Sequence, residues 1–192
     1  MGVDMMPKQM KQVLADGLEQ MLTEMPLSKV RVVTLCQRCG VTPPTFYYYF
    51  HDKYEVVAWV FMGDFTQAFA DKAPAYSVTR IKQVLTIMAR HRDFYRAAYA
   101  ENGQNDINSY IQAFNVDLAA NACRAAGIPF DNQRQLAVTY HSYGMMGLFV
   151  EWLRGDGQFE LNDLASFQFQ HTPAFLSQAL QQYAFSSQQL LQ

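Results

Sequence analysis

Cysteine is scarce in this chain, three in 192 residues, so no disulfide framework holds it together and a reducing compartment is indicated. Long apolar runs are missing too, none reaching the roughly eighteen residues that a membrane-crossing helix needs. Met1 to Met10 holds neither an apolar signal core nor a small-residue cleavage site, which leaves the cytoplasm as the expected location. No segment alternates apolar and polar residues at a strand's period, and no internal repeat is visible. Chemistry-bearing motifs are equally thin, with neither a glycine-rich phosphate loop nor a nucleophile elbow. His91, His141 and His171 stand at no metal-ligand or triad spacing. Cys36-Gln37-Arg38-Cys39 spells C-x-x-C with no second ligand pair in range, so it reads as packing. No metal, no cofactor and no catalysis are expected. Charge is modest as well. Charged residues make up 17% and the net charge is −2, which argues against wholesale affinity for nucleic acid.

What is present is half hydrophobic and patterned for helices. The most informative stretch runs from Val30 to Lys53. A short apolar-periodic segment (Val32, Val33, Leu35, Cys36) meets Gly40, which supplies the left-handed backbone that stops a helix. Thr42 is placed to cap the next one, and Pro43 fits its first position, where a missing N–H costs nothing. Helix, tight turn, helix is the helix-turn-helix pattern, whose second helix lies in a DNA major groove. That helix, about residues 43–50, buries Phe46 and Phe50. Successive helical residues point about 100° apart, so Tyr47, Tyr48 and Tyr49 cannot all face one core. Tyr47 and Tyr48 suit phosphates at the groove edge, and Thr45 suits a base edge. Arg31, near the amino end of the preceding helix, suits a phosphate with the amides there. Lys29, Arg31, Arg38 and Lys53 outnumber Asp52, a local basic patch on a mildly acidic chain.

The pattern V-x-x-L-x-x-x-x-G-V-x-x-x-T-F-Y-Y-x-F-x-D-K-Y resembles the DNA-binding domain of the TetR family of bacterial transcriptional regulators. By that resemblance Thr42, Pro44, Thr45, Tyr47, Tyr48 and Lys53 occupy DNA-contact positions, to which Tyr49 and His51 are added from their place on and beside the helix. Tyr49 stands where the family commonly has histidine, and Pro43-Pro44 replace polar or glycine residues. These departures bear on base preference. Tyr95 to Tyr110 (with Asn102-Gly103-Gln104-Asn105) and Tyr140 to Trp152 resemble the branch that includes dihydroxyacetone kinase regulators.

The expected fold is all-α. Residues 1–54 make a three-helix DNA-binding head, and residues 55–192 a helical effector-binding and dimerisation domain. Pro7 opens a first helix that covers the head. Asp52 caps a long fourth helix that joins the head to the rest, with Tyr54, Val57, Phe61 and Phe65 as its apolar stripe. The aromatic and methionine-rich face of residues 94–150 offers a ligand cavity, lined by Phe94, Tyr95, Tyr99, Tyr110, Phe114, Tyr140, Tyr143 and Met146. Asn102, Gln104, Asn105, Asn115 and His141 would orient a ligand there. Gly144 and Gly147 inside an apparent helix cost about 1 kcal/mol each against alanine. Close helix approach, within one chain or across a two-fold axis, would repay them. The resemblance implies a homodimer through the last long helices, with Met145, Leu148 and Trp152 as candidate contacts. The expectation is therefore a regulator of double-stranded DNA, released from a palindromic operator by an effector. Its rival is a coactivator or adaptor of the same fold that answers to a partner protein.

Overall fold

Local chemistry sets where each helix starts and stops. In the computed structural model, which describes residues 7–69, 76–100, 104–155 and 159–183, the regular structure among the described residues is helical throughout. Helix α1 (Pro7–Leu22) leads through a short 3-10 turn (Leu27–Lys29) to α2 (Val32–Cys39) and α3 (Pro43–Tyr49). Gly40 ends α2 with φ at 67°, the left-handed region that glycine enters without a side-chain clash. Thr42 caps α3, its hydroxyl accepting from the Thr45 amide at 3.4 Å. Helix α4 (Lys53–Gln67) starts under Asp52, whose carboxylate accepts from the Tyr54 and Glu55 amides at 2.8 and 2.9 Å. Glu55 reaches back to the His51 amide, completing a reciprocal cap.

The chain divides into two compact units, residues 1–60 with 93–107 and residues 61–92 with 108–192. In the first, α1, α2 and α3 pack on one another. Leu14, Leu18, Met21, Leu35, Phe46 and Phe50 are among its fully buried side chains, each worth about 1.5–3 kcal/mol of burial. Gly17 of α1 is required by close approach. A Cβ there would overlap Cys39 Sγ and stand 3.3 Å from Leu35 Cδ1. The Cys39 thiol meets the Val13 carbonyl oxygen at 3.5 Å, so the C-x-x-C pair serves packing. Phe94, Tyr95 and Tyr99, on or just after α6 (Arg92–Ala98), are buried in this unit as well.

The second unit holds α5 (Val78–Arg90), α8 (Asn132–Arg154), α9 (Leu161–His171), α10 (Ala174–Gln182) and most of α7 (Gln104–Ala125). Ser77 caps α5 and Asp131 caps α8, each accepting from the amide three residues on. Helix α5 packs against α9 through a face that buries Ile81, Val84, Leu85 and Met88. Gly155, at φ 77°, ends α8. Arg92 donates to the carbonyls of Trp152 and Leu153 at 2.8 and 3.3 Å, satisfying oxygens that the helix itself cannot. His91 Nδ1 lies 2.9 Å from the buried Asp64 carboxylate.

Candidate functional site

Helix α3 is anchored from one side and bare on the other. Phe46 and Phe50 are 0% and 2% exposed, whereas Tyr47 and Tyr48 are 59% and 80% exposed. Thr42 and Pro44 are exposed, and Thr45 and Tyr49 are half-buried. The Thr42 and Thr45 hydroxyls are 2.9 Å apart, and the Tyr48 and Tyr49 rings meet edge to face at 4.9 Å. The amino end of α3 has no unpaired backbone amide. Pro43 and Pro44 have no N–H, the Thr45 amide is taken by the Thr42 hydroxyl, and the Phe46 amide donates to the Thr42 carbonyl at 3.1 Å. The amino end of α2 differs, since Arg31 is exposed and no side chain caps the helix there.

The basic patch is smaller than its residue count suggests. Arg38 forks onto Glu24 at 2.7 and 2.8 Å, and this hydrogen-bonded pairing, with its charge attraction, lowers the Glu24 pKa. Lys53 Nζ donates to the Ser28 and Val30 carbonyls at 3.2 and 2.9 Å. Burial lowers its pKa, with Asp52 opposing. Two of its three donors therefore tie the start of α4 to the segment before α2. Lys53, expected at a phosphate, has these two carbonyls as partners and keeps one donor. Lys29 and Arg31 remain exposed, as does the His51 side chain.

The second unit holds a partly open cavity of about 140 Å³. Its apolar wall comes from Phe61 and Phe65 of α4, the buried face of α5, and Met145, Met146 and Phe149 of α8. Tyr76, Asn115, His141, Ser142 and Gln168 bring polar atoms to it, and no Lys, Arg, Asp or Glu is among the described lining residues. Asn115 Nδ2 donates to the Ser142 hydroxyl at 2.7 Å. The Thr172 hydroxyl donates to the Gln168 carbonyl at 2.7 Å and lies 2.6 Å from the Tyr76 hydroxyl and 3.4 Å from His141 Nε2. Burial pushes the Tyr76 phenol up to about 12, the Thr172 bond offsetting part of it. Burial, and then neighbouring His171, lower the His141 pKa.

Of the residues expected around a pocket, Met146, Asn115 and His141 line this one. Phe94, Tyr95 and Tyr99 are core of the first unit instead. Phe114 sets its ring edge to face with Phe65 at 5.7 Å without forming part of the wall, and Tyr110 is half-buried away from it. Tyr140 and Tyr143, at 84% and 55% exposed, lie on the outward face of α8. Asn102 and the side chains of Gln104 and Asn105 lie outside the described residues. The phenylalanines of α4 and the α5 face were visible as apolar stripes, but a stripe does not say which neighbour it meets.

Helix α8 has two apolar faces. Val138, Met146, Phe149, Trp152 and Leu153 point inward. Leu136, Tyr140, Tyr143 and Gly147 follow one another three or four residues apart on the exposed side, with exposed Gly144 next to Tyr143. A Cβ at Gly144 or Gly147 would meet nothing within 4 Å among the described residues, so close packing inside the chain does not account for either glycine. Of the candidate dimer contacts, Met145 lines the cavity, Leu148 is half-buried, and Trp152 is buried with the Arg92 guanidinium 5.1 Å from its ring centre.

Among the described residues no helix is long and apolar enough to cross a membrane, and no three metal-ligating side chains stand together. No curated protein sequence matches the chain. Residues 79–172 match the family described as Transcriptional regulator C-terminal region, of the TetR type. The solved structure of Dihydroxyacetone kinase operon activator DhaS superposes with a TM-score of 0.50 at 16% identity, covering 88% of this chain and 95% of that one. At that identity the likeness is one of fold. Residues 79–172 thus match the C-terminal region of TetR-type transcriptional regulators, and a capped helix-turn-helix head stands ahead of them.

Proposed function

We propose that this regulator is a homodimer that reads a near-palindromic operator as a repressor and leaves it when a small molecule enters the cavity. It is not an enzyme; it acts by binding. The observation that carries the reading is α3, held by two buried phenylalanines and showing Thr42, Pro44, Thr45, Tyr47 and Tyr48 outward. Large exposed aromatics are costly in water unless a partner covers them, and a phenol at a groove edge finds phosphates. Arg31, the uncapped end of α2 and His51 supply further phosphate partners. The outward stripe of α8 supports dimerisation, because bare glycines between exposed Leu136, Tyr140 and Tyr143 suit the close approach of a second copy.

Release needs a difference in affinity. To move the population from 1:99 to 99:1, the effector must favour the non-binding state by about 10⁴-fold. The first test is selection of randomised duplex DNA by purified protein near physiological salt, where nonspecific contacts weaken. An enriched inverted repeat with half-sites about one helical turn apart, or a little more, supports the reading. A folded dimer that enriches nothing refutes it and turns attention to a partner protein. A reporter gene behind the recovered site then separates repression from activation.

A further inference from the structure

The polar end of the cavity has a hydrogen count that leaves one position open. Thr172 has a single hydroxyl hydrogen, and it goes to the Gln168 carbonyl. Its oxygen has two lone pairs left. The Tyr76 hydroxyl and His141 Nε2 lie 2.6 and 3.4 Å from that oxygen, and the arrangement that satisfies all three groups has both donating to it. In that arrangement His141 carries its proton on Nε2. Burial and His171 disfavour a second proton. A neutral imidazole protonated on Nε2 has a bare acceptor at Nδ1, and Nδ1 has no partner among the described hydrogen bonds. The remaining described wall is apolar or amide and hydroxyl in character, with no charged side chain among the described lining residues.

Size narrows the occupant further. An engineered closed cavity of about 150 Å³ lined by Leu, Ile and Phe holds one benzene, so about 140 Å³ accommodates a single six-membered ring, with any larger substituent at the open side. A carboxylate or ammonium in that space loses its hydration without a countercharge.

We propose that the cavity takes a neutral, ring-sized apolar molecule bearing one hydroxyl or N–H, and that His141 Nδ1 receives that hydrogen while Phe61, Phe65, Met146 and Phe149 hold the ring. The inference deepens the effector reading of the same cavity and rests on it. His141 is the specificity-determining residue, and Thr172 positions it by fixing its tautomer.

The test is calorimetric titration of the full-length protein with a matched series of phenol, anisole, toluene, benzoate and benzylamine. Phenol is expected to bind about fivefold to tenfold more tightly than anisole or toluene, the worth of one hydrogen bond. Benzoate and benzylammonium are expected to bind at least tenfold more weakly than phenol. In His141→Leu the phenol-to-toluene ratio falls to about one. Because the ratio is read within one protein sample, partial loss of fold does not change it, and Thr172→Val, expected to shrink the ratio, checks the tautomer argument. Equal affinity of the wild type for phenol and toluene, tighter binding of either ion, or no binding by any member overturns the proposal. Release of operator DNA is measured separately. Phenol binding that leaves DNA affinity unchanged sinks the effector reading, while the ligand preference stands on the titration.

Discussion

Replacing Gly17 by alanine tests whether the head is packed as tightly as its geometry says. Alanine in a helix interior is better than glycine by about 1 kcal/mol. Against this, the new Cβ overlaps Cys39 Sγ and presses on Leu35 Cδ1 at 3.3 Å. Overpacking of this kind costs typically 1–3 kcal/mol. Gly17→Ala is therefore expected to destabilise the head by between about 0 and 2 kcal/mol. In a Cys39→Ala background the sulfur is gone and only the mild Leu35 contact remains. There the same substitution should stabilise, by up to about 1 kcal/mol. The coupling between the two sites is the difference, roughly 1–3 kcal/mol. Urea unfolding followed by fluorescence serves as the assay, in a Trp152→Phe chain so that Trp59, buried in the first unit, reports alone. Unchanged m-values show that the midpoints measure stability. If Gly17→Ala stabilises equally in both backgrounds, Cys39 turns aside freely and the close approach of α1 and α2 is not what keeps this residue a glycine.

Four further outcomes are expected. Lys53→Met should weaken operator binding through a misplaced head while changing the salt slope by less than the roughly 0.9 per protomer that a lost phosphate contact brings; a full change in slope returns Lys53 to the phosphates. Tyr48→Ala, at a side chain 80% exposed, should shift stability by no more than about 0.5 kcal/mol yet reduce operator affinity at least fivefold, and retained affinity by mobility shift removes Tyr48 from the interface. Tyr140→Glu should yield a folded monomer in sedimentation, because the side chain stands 84% exposed on its own chain; a dimer of normal affinity moves the interface off this face of α8. His141 has a folded-state pKa below its unfolded value, so the unfolded chain binds more protons and stability falls as pH drops below about 6.5, until the folded-state pKa is passed. Unfolding midpoints of wild type and His141→Leu between about pH 7.5 and 5.5 show it, and parallel curves exclude the burial of His141 as the cause.

The head was legible residue by residue because its signals are local. Gly40, Thr42 and Pro43 each act through their own backbone, and the structure has them at the left-handed stop, the cap and the first helical position. Asp52 announced α4 in the same way. The cavity was not legible from the aromatic content of residues 94–150. Helical periodicity says that Tyr95 and Met146 are apolar-face residues, not which unit closes over them. Tyr95 went to the head unit and Met146 to the cavity wall. Helix α8 hid its arrangement for another reason. Apolar on two sides, it has a weak net direction, so Tyr140 and Tyr143 read as interior when they lie on its exposed face. Lys53 looked like a surface cation because no sequence pattern shows that two carbonyls more than twenty positions earlier await it.

The doubled proline at the start of α3 has a last consequence. Most helices present unpaired amides at their amino end, and anything approaching must either bond them or strip their water. Here Pro43 and Pro44 have no N–H, and the Thr45 and Phe46 amides go to the Thr42 hydroxyl and carbonyl, so no amide is left and dehydrating this tip is cheap. The tip behaves as a small apolar prow. It is ill suited to an anion and well suited to a methyl group, which makes the 5-methyl of a pyrimidine, on thymine or on methylated cytosine, the feature of a groove floor that it would feel most.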